Sequence, residues 1–507
     1  MIIREMHEAR KRSIESRLRR SVRFNPPREP VLSASNIRYE ASEKTRAINV
    51  GGIGLIHKLA LESGLVDAIN SKLHLLKMNF PYVESDHVLN IAYNAICGGV
   101  YLEDIELLRN NETYLDALGA ESIPDPTTAG DFCRRFDSPY KIGLLHDAID
   151  EARLNVWKRQ PDSFFDEAIL DMDGHVLETT GSCKEGMDIS YNGKWGYHAL
   201  LVSLANTQEV LSIFNRPGNW TSQQRSVGFI ERAIGLCRRA GFRRILLRGD
   251  TKFSQTEHFD RWDGEGVIFH FGYEAKKNLI KLADNLAKSC WKRLKRSPKY
   301  QVKTKPRKRP DNVKEEVVRR REYENQILQY EDVAEFEYKP TACKKTYRMI
   351  VLRKKIRVEK GQQWLFDKSP YLFYITNDSE SSASEIVFSC NDRCNQEKLI
   401  EQLKNGVRAL RAPVDNLLSN WAYMVMTALA WNLKAWAALW LPENGRWAQN
   451  HRQEKQTVLR MDFRAFVNYF ISIPSQIIRG GRQVIYRLLN WNPWFSVFRR
   501  LAIQLDC

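Results

Sequence analysis

Three stretches of the 507-residue chain carry acidic residues where a carboxylate has chemical use. AILDMDGHVLETTG (168–181) is an apolar strand that ends in Asp171 and Asp173, followed by a Gly turn and a second strand. RRILLRGDTKF (243–253) is another apolar run that ends in a lone acid, Asp250. An Asp at the end of a buried strand projects from a rigid element into a crevice, where open α/β sheets bind ligands. The third stretch is CNDRCNQEKLIEQLKN (390–405). Read as one helix, it spaces Cys390, Arg393, Glu397 and Lys404 by 3, 4 and 7 residues, which is one stripe at about 100° per residue. A stripe holding Arg, Glu and Lys is not a core face. By itself it reads as a solvated surface with ion pairs. Combined with two strand-end aspartates, its glutamate completes an all-oxygen site for Mg²⁺. Such a site suits phosphoryl transfer by two metal ions about 3.5–4 Å apart. Strand alternation puts Asp171 on the same face as Asp173, so it is either a further ligand or a neighbour that supports one.

The order Asp, Asp, Glu, with the Glu in a helix of pattern Y-x2-R-x3-E-x6-K, resembles the DDE transposases of bacterial insertion sequences, in the group with the Y-R-E-K signature. The matching residues are Asp173 (in D-G-H), Asp250 (in R-G-D), Arg393, Glu397 and Lys404, with Cys390 in place of the signature tyrosine. The similarity extends through ESDHVLNIAYNAICGG, DPTTAGDFCRRF and WGYHALLVSLANT and covers most of residues 50–500. It implies an RNase H-like catalytic core in which Asp173, Asp250 and Glu397 hold two Mg²⁺ ions, with Mn²⁺ as a substitute. It further implies that double-stranded DNA is the partner, as terminal inverted repeats and as target. Arg393 and Lys404 would hold phosphates of the cut strand. Joining two ends implies a homodimer on DNA, in a bacterial cytoplasm near the nucleoid.

Composition agrees with a polyanionic partner. The formal charge is +17, and no lipidation signal or basic amphipathic anchor points to a membrane. Nine cysteines are scattered, and the one close pair, Cys390 and Cys394, has no second pair to complete a zinc site. Free thiols in a reducing cytoplasm are the default. NLLSNWAYMVMTALAWNL (416–433) has 18 residues without charge, but Asn420, Thr427 and Asn432 interrupt it and Lys434 ends it. It reads as a buried core helix.

The expected fold is α/β, an RNase H-like mixed sheet flanked by helices and interrupted by a β-rich insertion. Residues 1–50 are a basic, flexible arm, and 51–160 an α-helical domain for DNA binding or dimerisation. In that domain Asp125 or Thr127 caps a helix, with Arg134 and Arg135 in its first turns as candidate phosphate contacts. Residues 161–287 alternate strands and helices as the first part of the core. The insertion, 288–370, opens with eleven Lys or Arg and no acid between Lys288 and Arg309, a backbone-tracking density. Its Trp291 and the later Trp364 either stack on an unpaired base or pack their own subdomain. Residues 371–440 complete the core with the Glu helix, and 441–507 form a helical C-terminal tail. Two other readings compete: a nuclease on the same core that cuts without joining, and an inactive DNA-binding remnant. Retention of all three acids argues against the remnant.

Overall fold

The computed structural model describes residues 2–21, 34, 37–40, 45–77, 81–181, 184–296, 324–360, 363–368, 370–481 and 483–507. Helix α1 occupies Ile2–Ser21, where the sequence suggests a flexible arm. Six Arg and three Glu lead its composition, and these are good helix formers even without an apolar stripe. Its anchor is His7, which is buried and stacks on Phe495 with ring centroids 3.5 Å apart. Short helices then run from Ile53 to Arg134. In the last of them, α2 (Pro126–Arg134), Asp125 is the cap and accepts the Thr128 N–H at 2.9 Å, with Pro126 at the first position. Arg134 and Arg135 therefore lie at its C-terminal end and not in its first turns.

Helix α3 (Pro139–Trp157) ties these helices to the sheet through buried charge. Arg153 is fully buried and donates to Glu209, to the Val210 carbonyl and to Asp150. Trp157 and Trp436 also donate to Glu209, at 2.9 and 2.8 Å. Satisfied in this way, the charges sit inside one continuous apolar core shared by the helices and the sheet.

The sheet is built around β1 (Glu167–Glu178). It continues with β2 (Asp188–Ile189), β3 (Trp195–Leu204) and β4 (Glu209–Phe214). Helix α4 (Ser226–Ala240), burying Ile230, Ile234 and Cys237, leads into β5 (Arg244–Gly249) and β6 (Val267–Tyr273). Strand β1 pairs antiparallel with β3 and parallel with β5, β4 pairs antiparallel with β3, and β6 pairs parallel with β5. The segment expected to be a β-rich insertion contains β7 (Lys292–Arg293), β8 (Glu324–Tyr338), β9 (Tyr347–Lys360) and β10 (Gln363–Lys368). With β11 (Tyr371–Thr376), these strands extend the central sheet, because β11 pairs antiparallel with β6. Most of the basic run, residues 297–309, lies outside the described residues.

Helices α5 (Ala383–Asp392) and α6 (Cys394–Glu401) follow, then a π-helical turn (Gln402–Gly406) and the long helix α7 (Leu417–Leu439). Helix α7 is the charge-poor run, and it is buried against the outer edge of β4. Its polar residues satisfy that edge. The Asn432 amide accepts the Val210 N–H and donates to the Val210 carbonyl, both at 2.9 Å. Trp421 and Trp431 donate to the carbonyls of Ile213 and Gln208. An open sheet edge is thus closed by side chains. Among the described residues, no helix is long and apolar enough to cross a membrane. The C-terminal region is not wholly helical. Ser475–Arg479 and Val484–Leu488 form a hairpin that joins Ala47–Ile48 in a three-stranded sheet.

Candidate active site

The parallel register of β1 and β5 brings two of the three acids together. Met172 lies opposite Gly249, so Asp173 and Asp250 are the next residues on neighbouring strands, which run about 4.8 Å apart. Strand β1 does not turn at Gly174 but continues extended to Glu178. Gly174 is needed for closeness rather than for a turn. A Cβ there would lie 2.5 Å from His198 Nε2 and 3.0 Å from Ser222 Oγ. Its N–H donates to Asp173 Oδ1 at 2.8 Å. Asp250 begins a short 3₁₀ turn and accepts the Lys252 N–H at 2.8 Å. Burial lifts the Asp173 carboxyl above its ordinary value; the Arg393 guanidinium opposes this and the Asp250 carboxylate adds to it.

The third acid arrives on a broken helix. The stretch from Cys390 is not one continuous helix, since α5 ends at Asp392, Arg393 forms the junction and α6 begins at Cys394. Cys390 is half-buried on α5, and burial pushes its thiol up to about 12. Arg393 donates to Asp173 Oδ2 at 3.0 Å, and its charge also acts on the Cys390 thiol. Arg393 therefore pairs with an acid, where a phosphate is expected as its partner. Glu397 follows one turn later on α6 and is exposed. The adjacent Gln396 is buried and fixes the helix: it accepts the Ser203 hydroxyl at 2.7 Å and donates to the Leu201 carbonyl at 3.4 Å. Ser203 and Leu201 are the cross-strand neighbours of Asp171 and Asp173, so α6 is moored at the level of the aspartates. Lys404 is exposed in the π turn. Its charge reaches His175, two residues beyond Asp173, which burial with help from Lys404 pushes down to about 4.

Asp171 has a different environment. It is 1% exposed, and both of its oxygens accept from Arg248, Oδ1 from Nε at 2.7 Å and Oδ2 from Nη2 at 2.8 Å. Arg248 also donates to the Ser389 carbonyl in the last turn of α5. His270 Nδ1 bonds the Ser389 hydroxyl, and its Nε2 faces Asp378. This buried layer lies beneath the aspartates and holds the end of α5, hence the junction that bears Arg393. Both Asp171 oxygens are thus engaged by a guanidinium. Sequence reasoning missed Arg248, although a signal was present: an arginine inside an apolar strand needs a buried partner.

The other expected DNA contacts are elsewhere engaged. Arg134 pairs with Asp131 and Asp415, and Arg135 donates to the Leu75 carbonyl. Trp291 stacks with Tyr371 and lies under the Arg353 guanidinium at 4.0 Å. Trp364 is on β10, and its side chain is outside the described residues. Among the described residues, no three His, Cys, Asp or Glu side chains are gathered closely enough to hold a metal ion. The donor set nevertheless suits a divalent cation. Asp173 and Asp250 repel one another where burial already penalises charge, and carboxylate oxygens are hard ligands.

A family model described as "Transposase DDE domain group 1" matches residues 33–506. No curated protein matches the chain. Among solved structures, the cryo-EM structure of the piggyBac transposase synaptic complex with hairpin DNA aligns with a TM-score of 0.38 and 11% identity. That alignment covers 84% of this chain and 83% of the other.

Proposed function

The chain belongs to the transposase DDE domain family, group 1, and from that premise we propose that it cuts the ends of a bacterial insertion sequence and joins them to target DNA. The observation that carries the reading is the Met172–Gly249 register, which sets Asp173 beside Asp250, with Arg393 leading from Asp173 into the helix of Glu397. The strand order β4–β3–β1–β5–β6, with the first three antiparallel and the last two parallel to β1, supports an RNase H-like core.

In this reading Asp173, Asp250 and Glu397 hold two Mg²⁺ ions, with Asp171 supporting them through Arg248. When bound, the ions supply Lewis-acid activation and neutralise charge on the phosphate. The protein's own part is placement. Cleavage adds a water oxygen to phosphorus and releases the 3′ oxygen as a hydroxyl; joining uses that hydroxyl on a target phosphodiester, releasing a target 3′ oxygen. Lys404 and Arg393 hold phosphates of the strand being cut, Arg393 exchanging its carboxylate for one. Two protomers on paired ends account for joining. The test is Mg²⁺-dependent cleavage of DNA carrying the element's ends, followed by strand transfer with pre-cut ends. Asp173→Asn, Asp250→Asn and Glu397→Gln should each abolish both steps. Cleavage without strand transfer would make the protein a nuclease, and normal activity in a variant would remove that residue from the role.

A further inference from the structure

Beyond the acids, β1 and β3 run on to a hairpin whose exposed surface is aromatic. Tyr191 is 88% exposed, Trp195 51% and Ile189 46%, and Ile189 lies directly across from Trp195. Exposed aromatics on a mobile loop would mean little, but this turn is tightly made. The Ser190 N–H donates to the Lys194 carbonyl at 2.8 Å, and the Gly193 N–H donates to the Ser190 carbonyl at 2.9 Å. The Ser190 side chain is buried, and its hydroxyl donates to the same Lys194 carbonyl at 2.7 Å. Gly193 takes the left-handed conformation that the turn requires, with φ of 77°. At its base, Asp188 accepts from Asn219, and the Lys194 ammonium pairs with Glu178 on β1 at 2.6 Å. The ring of Tyr191 is thus held out to solvent on a rigid support, so little entropy is lost when something stacks on it.

Position says what that partner is. Trp195 is six residues along β3 from Leu201, the cross-strand neighbour of Asp173. At about 3.3 Å per residue this is about 20 Å, the rise of about six stacked nucleotides. The Lys404 charge acts on both His175 and Glu178, which follow Asp173 along β1 towards the hairpin. We propose that the hairpin Asp188–Trp195 is a stacking platform, on Tyr191 and Trp195, for an unpaired base of the DNA strand held at the Asp173–Asp250 site, within about six nucleotides of the cut. This rests on the transposase reading. Every base offers a π face, so such a platform is tolerant of sequence and adds affinity only where the base is free to leave its pair.

The experiment uses the full chain and two DNAs carrying the element's ends, one fully paired and one with about six unpaired nucleotides next to the cut. Stacking on an aromatic ring contributes about 1–3 kcal/mol per base. The double variant Tyr191→Ala/Trp195→Ala should therefore bind the tailed DNA about 5- to 150-fold more weakly, while its binding to paired DNA changes less than about twofold. Tyr191→Phe should bind both as the wild type does. The slope of affinity against salt should be the same in all variants, since no phosphate contact is lost. Equal losses on both DNAs, a changed salt slope, no loss at all, or loss of self-association in sedimentation would each overturn the proposal. If the wild type itself fails to cut end DNA in Mg²⁺, the transposase reading fails. If it cuts and the variants are indifferent to the tail, only the platform fails.

Discussion

Asp171 and Asp173 stand two residues apart on one strand, and the structure predicts opposite consequences for removing them. Asp171 is 1% exposed, its partner Arg248 is 5% exposed, and two hydrogen bonds of 2.7 and 2.8 Å join them. Removing one partner of such a pair leaves a buried, uncompensated charge, which costs about 3–5 kcal/mol. For 507 residues, at about 2.1 cal/mol/K per residue, the unfolding entropy is about 1.1 kcal/mol/K. Asp171→Ala should therefore lower Tm by about 3–5 °C. Activity should fall as the folded fraction and the seating of α5 are lost. Replacing both partners, Asp171→Leu with Arg248→Met, removes both charges and should recover most of that loss, a positive coupling in a double-mutant cycle. Asp173→Ala should behave differently. Its pair with Arg393 is partly exposed, at 17% and 18%, so Tm should move by about 1 °C or less while cleavage disappears. The assays are thermal unfolding followed by circular dichroism and Mg²⁺-dependent cleavage of end DNA on the same preparations. An Asp171→Ala protein as stable as the wild type yet inactive would refute the reasoning and return Asp171 to the list of ligands.

Three further outcomes follow from the packing. Gly174→Ala would push a methyl to 2.5 Å from His198 Nε2, and His198 is held from behind by the Trp220 carbonyl at 2.6 Å. The strand must give instead, costing about 1–3 kcal/mol in chemical denaturation and displacing Asp173, so cleavage should drop at least tenfold; normal cleavage would show that the close approach is not needed. Lys434 is fully buried, and burial pushes its ammonium down to about 7 while its Nζ donates to the Leu459 carbonyl at 2.7 Å. Above pH 7 the unfolded chain holds a proton the folded chain lacks, so wild-type stability rises with pH towards the ordinary lysine value. Lys434→Met should thus be more stable than the wild type near pH 7 and lose that advantage near pH 10, where only the missing hydrogen bond to Leu459 is felt; a Tm difference constant from pH 7 to 10 would contradict this. Glu209→Ala would leave the indoles of Trp157 and Trp436 without their acceptor and Arg153 with only Asp150 and the Val210 carbonyl. It should destabilise by more than about 3 kcal/mol, read as a lower denaturation midpoint, and a smaller shift would mean that water reaches the cluster.

Much of the architecture is local and therefore legible. Asp125 before Pro126 marks a helix start wherever the chain goes, because the cap bonds its own neighbour, the Thr128 N–H. The spacing of Ile230, Ile234 and Cys237 gives α4 its buried face. Alternating strands and helices between Glu167 and Tyr273 announce an α/β core. Elsewhere the local pattern misled. Helix α1 forms on propensity without a periodic apolar face, and the stretch from Cys390 breaks at Arg393, where no Gly or Pro warns of it. Arg134, placed in a first turn by sequence, closes α2 and pairs with Asp415, 281 residues away.

The amino acids alone determined which acids are available, their order along the chain, and that Asp173 lies on a strand, Asp250 just after one and Glu397 on a helix, since each of these depends on nearest neighbours. They did not determine which aspartate a buried arginine on the neighbouring strand claims. Alternation gives Asp171 and Asp173 the same face, and the choice falls to the neighbouring strand. Arg248 lies directly opposite Asp171, while β5 ends at Gly249, so Asp173 has no partner from β5 and meets Asp250 instead. That register is set by the packing of two segments more than seventy residues apart, and only the tertiary structure contains it.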